Sequence, residues 1–215
     1  MINIKTFVFN PFLVNSFVLY DETQECVIID ASCYENEEFD SLFDFIASHS
    51  LRPVAVLNTH GHVDHLTGTR QICEKYFIKF CMNSADRFLL ENAVDYGISF
   101  GFHIEDPPEP GSWLNDGDLF KFGNSEIKIW NAPGHSPGSL IFYISEAKLL
   151  ITGDVLFAGS IGRTNLPGGD YAQLINSIKT KILTLPGDTR VIPGHGAETN
   201  IAFEMKNNPF LKGSF

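Results

Sequence analysis

Hydrophobic and polar positions change period several times along the chain, and each change marks an element. Ile2, Ile4, Phe7 and Phe9 follow the two-residue repeat of a strand, and Phe17 to Tyr20 and Cys26 to Ile29 are β-branched or aromatic runs set apart by the polar turn 21–24. Over 36–49 the repeat becomes helical, with Phe39, Leu42, Phe43 and Ile46 on one face. Pro53 to Leu57 is a short buried strand that runs into Asn58-Thr59-His60. The spacing then predicts a helix over 64–77, a strand over 78–82 and a helix over 84–96. The segment 97–117 is broken by glycine and proline and reads as a long loop or flap, in which Phe100, Phe102 and Trp113 either line an apolar entrance or anchor the loop. Strands follow at 118–122, 126–131, 139–144 and 148–152, then a helix over 170–183, a strand at 191–192 and a helix over 199–207. Strands and helices, then strands and helices again, predict an α/β chain of two βα halves packed in layers.

Composition narrows the class. With 44% hydrophobic and 19% charged residues the chain is expected to be globular. No window of about 18 consecutive apolar residues exists to span a bilayer, so no membrane partner is expected. Fifteen Lys+Arg against 26 Asp+Glu leave a net charge of −11 without a basic run, which argues against nucleic acid as a partner. Cys26, Cys33, Cys73 and Cys81 form no Cys-x-x-Cys pair and sit in apolar or helical contexts. They read as buried free thiols in a reducing compartment. No charged leader precedes an apolar stretch at the start, so the cytoplasm is the expected location.

The chemistry concentrates in His60-Gly61-His62-Val63-Asp64-His65, where a strand ends and a helix is expected to begin. Open sheets place ligands at that point. His60 and His62 project to one side of an extended backbone, with Gly61 letting the chain bend close to an ion. Asp64 and His65 approach from another direction. Four donors within six residues crowd one small ion, so they divide between two: His60 and His62 on one, Asp64 and His65 on the other. Three more donors follow strand ends, each after a glycine: His135, Asp154 and His195. Asp154 is the carboxylate suited to bridge, His135 completes the first ion and His195 the second. His49 and His103 are expected to be non-ligands.

This pattern resembles the metallo-β-lactamase superfamily, and the resemblance covers essentially the whole chain as one domain, 1–215. It implies an αβ/βα four-layer sandwich with a metal site along one edge of the paired sheets. The β-lactamases that name the fold usually carry Cys where Asp154 stands, and the redox di-iron branch has Glu where His62 stands. The all-His/Asp set, with the stretches 153–159 and 162–164, is similar to the glyoxalase II group, whose members hydrolyse thioesters such as S-D-lactoylglutathione. The chain ends about 20 residues after His195, where larger members add a helical domain, so the resemblance is to the short, single-domain branch. It implies a binuclear hydrolase with two divalent ions, zinc first and iron or manganese next. A small-molecule thioester is the implied partner, attacked by hydroxide from an acidified shared water. Asp64 is assigned two jobs, ligand and orienter of that hydroxide. Arg163 either contacts the substrate carboxylate, as a basic residue near this position does in the group, or is structural and paired with Asp170. A mononuclear-iron persulfide dioxygenase of the same fold is the alternative, and a nuclease or a non-catalytic metal site are more distant ones.

Overall fold

A computed structural model describes residues 2–212; Met1 and 213–215 of the expected single domain lie outside it. The described residues pack as two compact units, 2–114 with 121–126, and 115–120 with 127–212.

The first unit is built on a six-stranded mixed sheet: β1 (Asn3–Phe9), β2 (Val14–Tyr20), β3 (Glu25–Ile29), β4 (Arg52–Leu57), β5 (Lys79–Met82) and β6 (Ser112–Trp113), in that spatial order. β1, β2 and β3 pair antiparallel, and β3, β4, β5 and β6 parallel. The two-residue repeat seen in β1 survives as alternating exposure of an edge strand, whereas β2 is buried along nearly its whole length. Helix α1 (Asn36–Ser48) turns Leu42 and Ile46 inward, and its start is held by a capping box of Glu35 and Glu38. Val18, Ile28, Val56, Ile72 and Phe80 share the core with that stripe.

The helix expected over 64–77 is interrupted. A single 3-10 turn covers Val63–His65, and helix α2 spans only Thr69–Tyr76. The reason is Gly68, whose amide donates to the Ala31 carbonyl at 2.9 Å instead of continuing a helix. A Cβ there would sit 2.9 Å from the Cys33 carbonyl oxygen, so this close approach needs glycine. The helix expected over 84–96 is likewise a 3-10 turn, Ser84–Asp86, then α3 (Arg87–Glu91) and α4 (Ala93–Phe100), broken at Asn92. The 97–117 segment therefore gives up its first residues to α4 and contributes β6. Phe102 is anchored, with its ring edge-to-face against Phe12 and Tyr34 at 4.9 and 5.2 Å. All four cysteines are free and buried. Burial pushes the Cys26 and Cys73 thiols up to about 12, and raises Cys33 and Cys81 as well.

The second six-stranded sheet comprises β7 (Leu119–Phe122), β8 (Ser125–Asn131), β9 (Leu140–Ile144), β10 (Leu149–Gly153), β13 (Arg190–Pro193) and β14 (Thr199–Asn200), in spatial order β14-β13-β10-β9-β8-β7; it belongs to the second unit except for residues 121–122 of β7 and 125–126 of β8. The separate hairpin β11 (Leu156–Phe157) and β12 (Ser160–Ile161), absent from the sequence reading, lies between β10 and β13 in the chain. Helix α5 (Tyr171–Ser177) runs into a π-helical turn, Ile178–Ile182, so the apolar stripe over 170–183 is real but not one regular helix. Helix α6 (Ile201–Asn207) starts two residues later than expected, after β14, and is capped by the Asn200 side chain. Ile141, Leu150, Leu174, Ile178, Val191 and Ile201 form this unit's core.

Candidate metal centre

Three adjacent parallel strands of the first unit, β3, β4 and β5, end on one side of their sheet. Past those ends stand Asp30, Thr59-His60 and Asp86. This is the carboxyl edge where side chains leave the ladder and become available for ligands.

Asp30 is fully buried and adopts a left-handed φ of 51°, a conformation that Asp tolerates better than most residues. One carboxylate oxygen accepts from the Thr59 amide at 2.7 Å. The other accepts from the Thr59 hydroxyl at 2.8 Å and from His65 Nδ1 at 3.0 Å. The Thr59 hydroxyl proton is thus spent on Asp30, so at 3.0 Å its oxygen accepts from His60 Nδ1. Both imidazoles are held as the tautomer protonated at Nδ1, which turns an Nε2 lone pair outward. The Asn58 amide holds the His65 carbonyl at 2.8 Å, and Asn10 holds the Asp64 carbonyl at 2.8 Å. Asp86 accepts the Gly61 amide at 2.9 Å. A Cβ on Gly61 would press to 3.1 Å on Asp86 and Leu89. The result is a compact donor group: the His60 ring lies 4.8 Å from His62 and 4.2 Å from His65, and His65 Nε2 is 3.7 Å from an Asp64 oxygen.

The second unit makes a matching group. β10 and β13 are parallel neighbours, and β8 runs in the same direction beyond β9. Asp154, His195 and His135 follow their ends. His135 Nδ1 donates to the Arg163 carbonyl at 2.7 Å, which again fixes Nε2 as the free-facing nitrogen. One oxygen of Asp154 lies 3.6 Å from His135 Nε2 and 3.5 Å from His195 Nε2. These separations are long for hydrogen bonds. Two atoms held at about 2.0–2.2 Å by one tetrahedral ion stand about 3.4 Å apart, so the spacing suits ligands of a shared cation. His and Asp donors, with His60, His65 and His135 held as the Nδ1-protonated tautomer, fit a divalent metal in both units.

The remaining residues singled out in the sequence place simply. His49 closes α1 with Nδ1 2.9 Å from the Phe45 carbonyl, and His103 is exposed after α4. Arg163 is exposed and donates to the Asn165 side chain at 2.8 Å, while Asp170 caps α5 by accepting the Gln173 amide at 2.9 Å. Asp30, Thr59 and Asp86 were not found from sequence. The only signal was that each follows an apolar strand, and such residues are common.

Gly162 returns the chain onto this site. A Cβ there would fall 1.8 Å from the Asp154 carbonyl oxygen and 3.2 Å from His135 Cβ. The obstacle is backbone, so relief requires moving Asp154 itself. Gly162→Ala is expected to destabilise the protein by about 1–3 kcal/mol and to lower metal content; a variant with wild-type midpoint and metal loading would refute the close-approach reading.

A mixed-sheet α/β chain whose strand-end loops carry paired His/Asp groups is a metal-binding protein. The chain belongs to the metallo-β-lactamase superfamily, whose family model matches residues 9–195. It is 36% identical over 97% of its length to hydroxyacylglutathione hydrolase GloC of Haemophilus influenzae, covering 98% of that protein. Among solved structures, the BLEG-1 B3 metallo-β-lactamase matches with a TM-score of 0.90 and 34% identity, covering 98% of this chain and 100% of that one. TTHA1623 in a di-iron-bound form matches at 0.87 and 35%, covering 96% and 100%. The fold class expected from sequence therefore holds, and the protein is a metallo-hydrolase of that fold. Among the described residues no helix is long and apolar enough to cross a membrane.

Proposed function

We propose that the chain hydrolyses thioesters of the glyoxalase II type, S-D-lactoylglutathione or a related acyl-thiol, at a centre of two divalent cations. On the assignment made from sequence, His60, His62 and His135 would hold one ion and Asp64, His65 and His195 the other, with Asp154 shared. The observation that carries this reading is the Asp154 oxygen placed evenly between His135 and His195, at 3.6 and 3.5 Å. A carboxylate oxygen serving two histidines in this way suits a bridge. The relationship to GloC supports the substrate class. The similar di-iron structure keeps iron beside zinc as the metal to be tested.

When bound, two such ions supply an acidified water and Lewis-acid polarisation of a carbonyl oxygen. The residues do the rest. Asp64 is buried but for an edge of its carboxylate, which orients the attacking water and takes up its proton. Asn10 and Asn58 lock the backbone on which Asp64 and His65 ride. A leaving thiolate has a conjugate-acid pKa of about 8.5 and departs without a general acid, which agrees with a donor set made of ligands alone. The exposed Arg163 guanidinium offers a fork for a substrate carboxylate, with Asn165 limiting its swing.

A substrate panel on protein loaded with zinc, iron or manganese tests the proposal. S-D-lactoylglutathione, coenzyme A thioesters, a β-lactam and a glutathione persulfide with oxygen monitoring form its arms. The expected result is thioester turnover with kcat/KM of about 10^4 M⁻¹s⁻¹ or more, two metals per chain and no oxygen uptake. One iron per chain with oxygen consumption, or β-lactam turnover without thioester turnover, would overturn it.

A further inference from the structure

Glu204 is a carboxylate with no exposed surface, sitting on α6 far in sequence from every metal donor except His195. No basic side chain meets it among the contacts the structure gives. Three donors do. The Gly159 amide reaches its two oxygens at 3.1 and 3.0 Å, the Thr199 hydroxyl at 2.6 Å and the Asn208 amide at 2.7 Å. Asn208 also donates to the Ser160 carbonyl at 3.0 Å. Gly159 and Ser160 belong to the tip of the β11–β12 hairpin, where Phe157 pairs with Ser160 and Gly159 takes a φ of +70°. Glu204 on α6 and Asn208 just past its end therefore grip that tip.

The hairpin in turn touches all three donors of the second unit. It leaves the sheet directly after Asp154, with the Thr152 hydroxyl donating to the Leu156 carbonyl at 2.9 Å. The Phe157 ring stands edge-on to the His195 imidazole, with centroids 6.2 Å apart. On the return, Gly162 lies against Asp154 and His135, and the Arg163 carbonyl fixes the His135 tautomer. A hairpin of two-residue strands has too few ladder bonds to stay in place alone. Its position is set by what holds the tip.

We infer that Glu204 is a positioning residue for the metal centre, acting through the β11–β12 hairpin on His135, Asp154 and His195, with Asn208 as its partner in the grip. This rests on the reading that those three side chains bind metal. A purely stabilising carboxylate would need only to satisfy local donors; both oxygens of this one also reach the Gly159 amide of the element that carries the ligand contacts. Its removal then loosens the ligands before it unfolds the chain, because partners behind a ligand typically tune metal affinity by about 10–100-fold.

The test compares Glu204→Gln and the milder Thr199→Val with wild type in the full, zinc-loaded chain. Zinc affinity is read by competition with a chromogenic chelator, alongside the thermal midpoint of the metal-free protein and kcat and KM for S-D-lactoylglutathione. A carboxamide turns an N–H toward one of the three donors, so Glu204→Gln is expected to weaken zinc binding about tenfold and to lower kcat. Thr199→Val is expected to shift both in the same direction by less. A merely structural role predicts a lower midpoint with unchanged zinc affinity, and that result overturns the inference. Should Glu204→Gln fail to fold, wild-type zinc affinity in Thr199→Val overturns it equally. A wild-type chain that holds no zinc, iron or manganese sinks the metal-centre reading itself and this inference with it, whereas tight wild-type binding with unaffected variants sinks only the inference.

Discussion

Asp154→Asn is expected to lower kcat/KM for the favoured thioester by about a thousandfold or more, with secondary structure retained. The carboxamide keeps the size and one acceptor oxygen but loses the charge and the second anionic oxygen. Polarisation by the metal is worth several kcal/mol of transition-state stabilisation, and each 1.36 kcal/mol is about a factor of ten in rate. The side chain is largely enclosed, and its oxygen stands 3.6 and 3.5 Å from two histidine nitrogens, so water cannot readily replace it. Metal content should fall together with activity, because the shared ligand is the one whose loss weakens both ions of the proposed pair. Full metal loading and near-wild-type turnover in this variant would remove the bridge from the proposal and, with it, the binuclear reading.

The second large effect is expected at Asp30, which the sequence did not single out. Asp30→Asn preserves shape and accommodates the left-handed φ of 51°. It leaves one acceptor oxygen for donors that now use two: the Thr59 amide, the Thr59 hydroxyl and His65 Nδ1. At least one buried donor then faces an N–H. The unmet bond costs about 2 kcal/mol, which in a chain of this size is a fall of roughly 4–8 °C in thermal midpoint. The larger consequence is chemical. Thr59 carries the Asp30 constraint on to His60, so one substitution frees the tautomers of two donors assigned to different ions. Metal affinity is expected to drop about 10–100-fold, read by chelator competition, and a histidine NMR spectrum should lose the Nδ1-protonated signature of both rings. Loss of stability with metal affinity and both tautomers intact would reduce Asp30 to a packing residue.

How much of this was legible depends on the range of the interaction. The strands announced themselves through short apolar runs, because a side chain's choice of face is settled by its immediate neighbours. The break at Gly68 did not, since it depends on the approach of Cys33 and the Ala31 carbonyl from an earlier loop. Nor did the β11–β12 hairpin, whose strands of two residues are too short to show a period. The 97–117 stretch was rich in glycine and proline and read as loop, yet its Ser112–Trp113 strand forms by pairing with β5 rather than by any preference of its own.

The sequence alone determined the donor chemistry and its layout. Six consecutive residues put three histidines and an aspartate at a strand end, and three later donors each follow a glycine past an apolar run. That much is local, set by residue type and backbone period. Only the tertiary structure decided which nitrogen of His60, His65 and His135 faces outward and what keeps the donors still. Those roles fall to Asp30, Asp86, the Arg163 carbonyl and Glu204, each of which makes a hydrogen bond to a partner between 25 and 45 residues away along the chain. A hydrogen bond across such a distance is created by folding, and no periodicity in the residues between its ends records it.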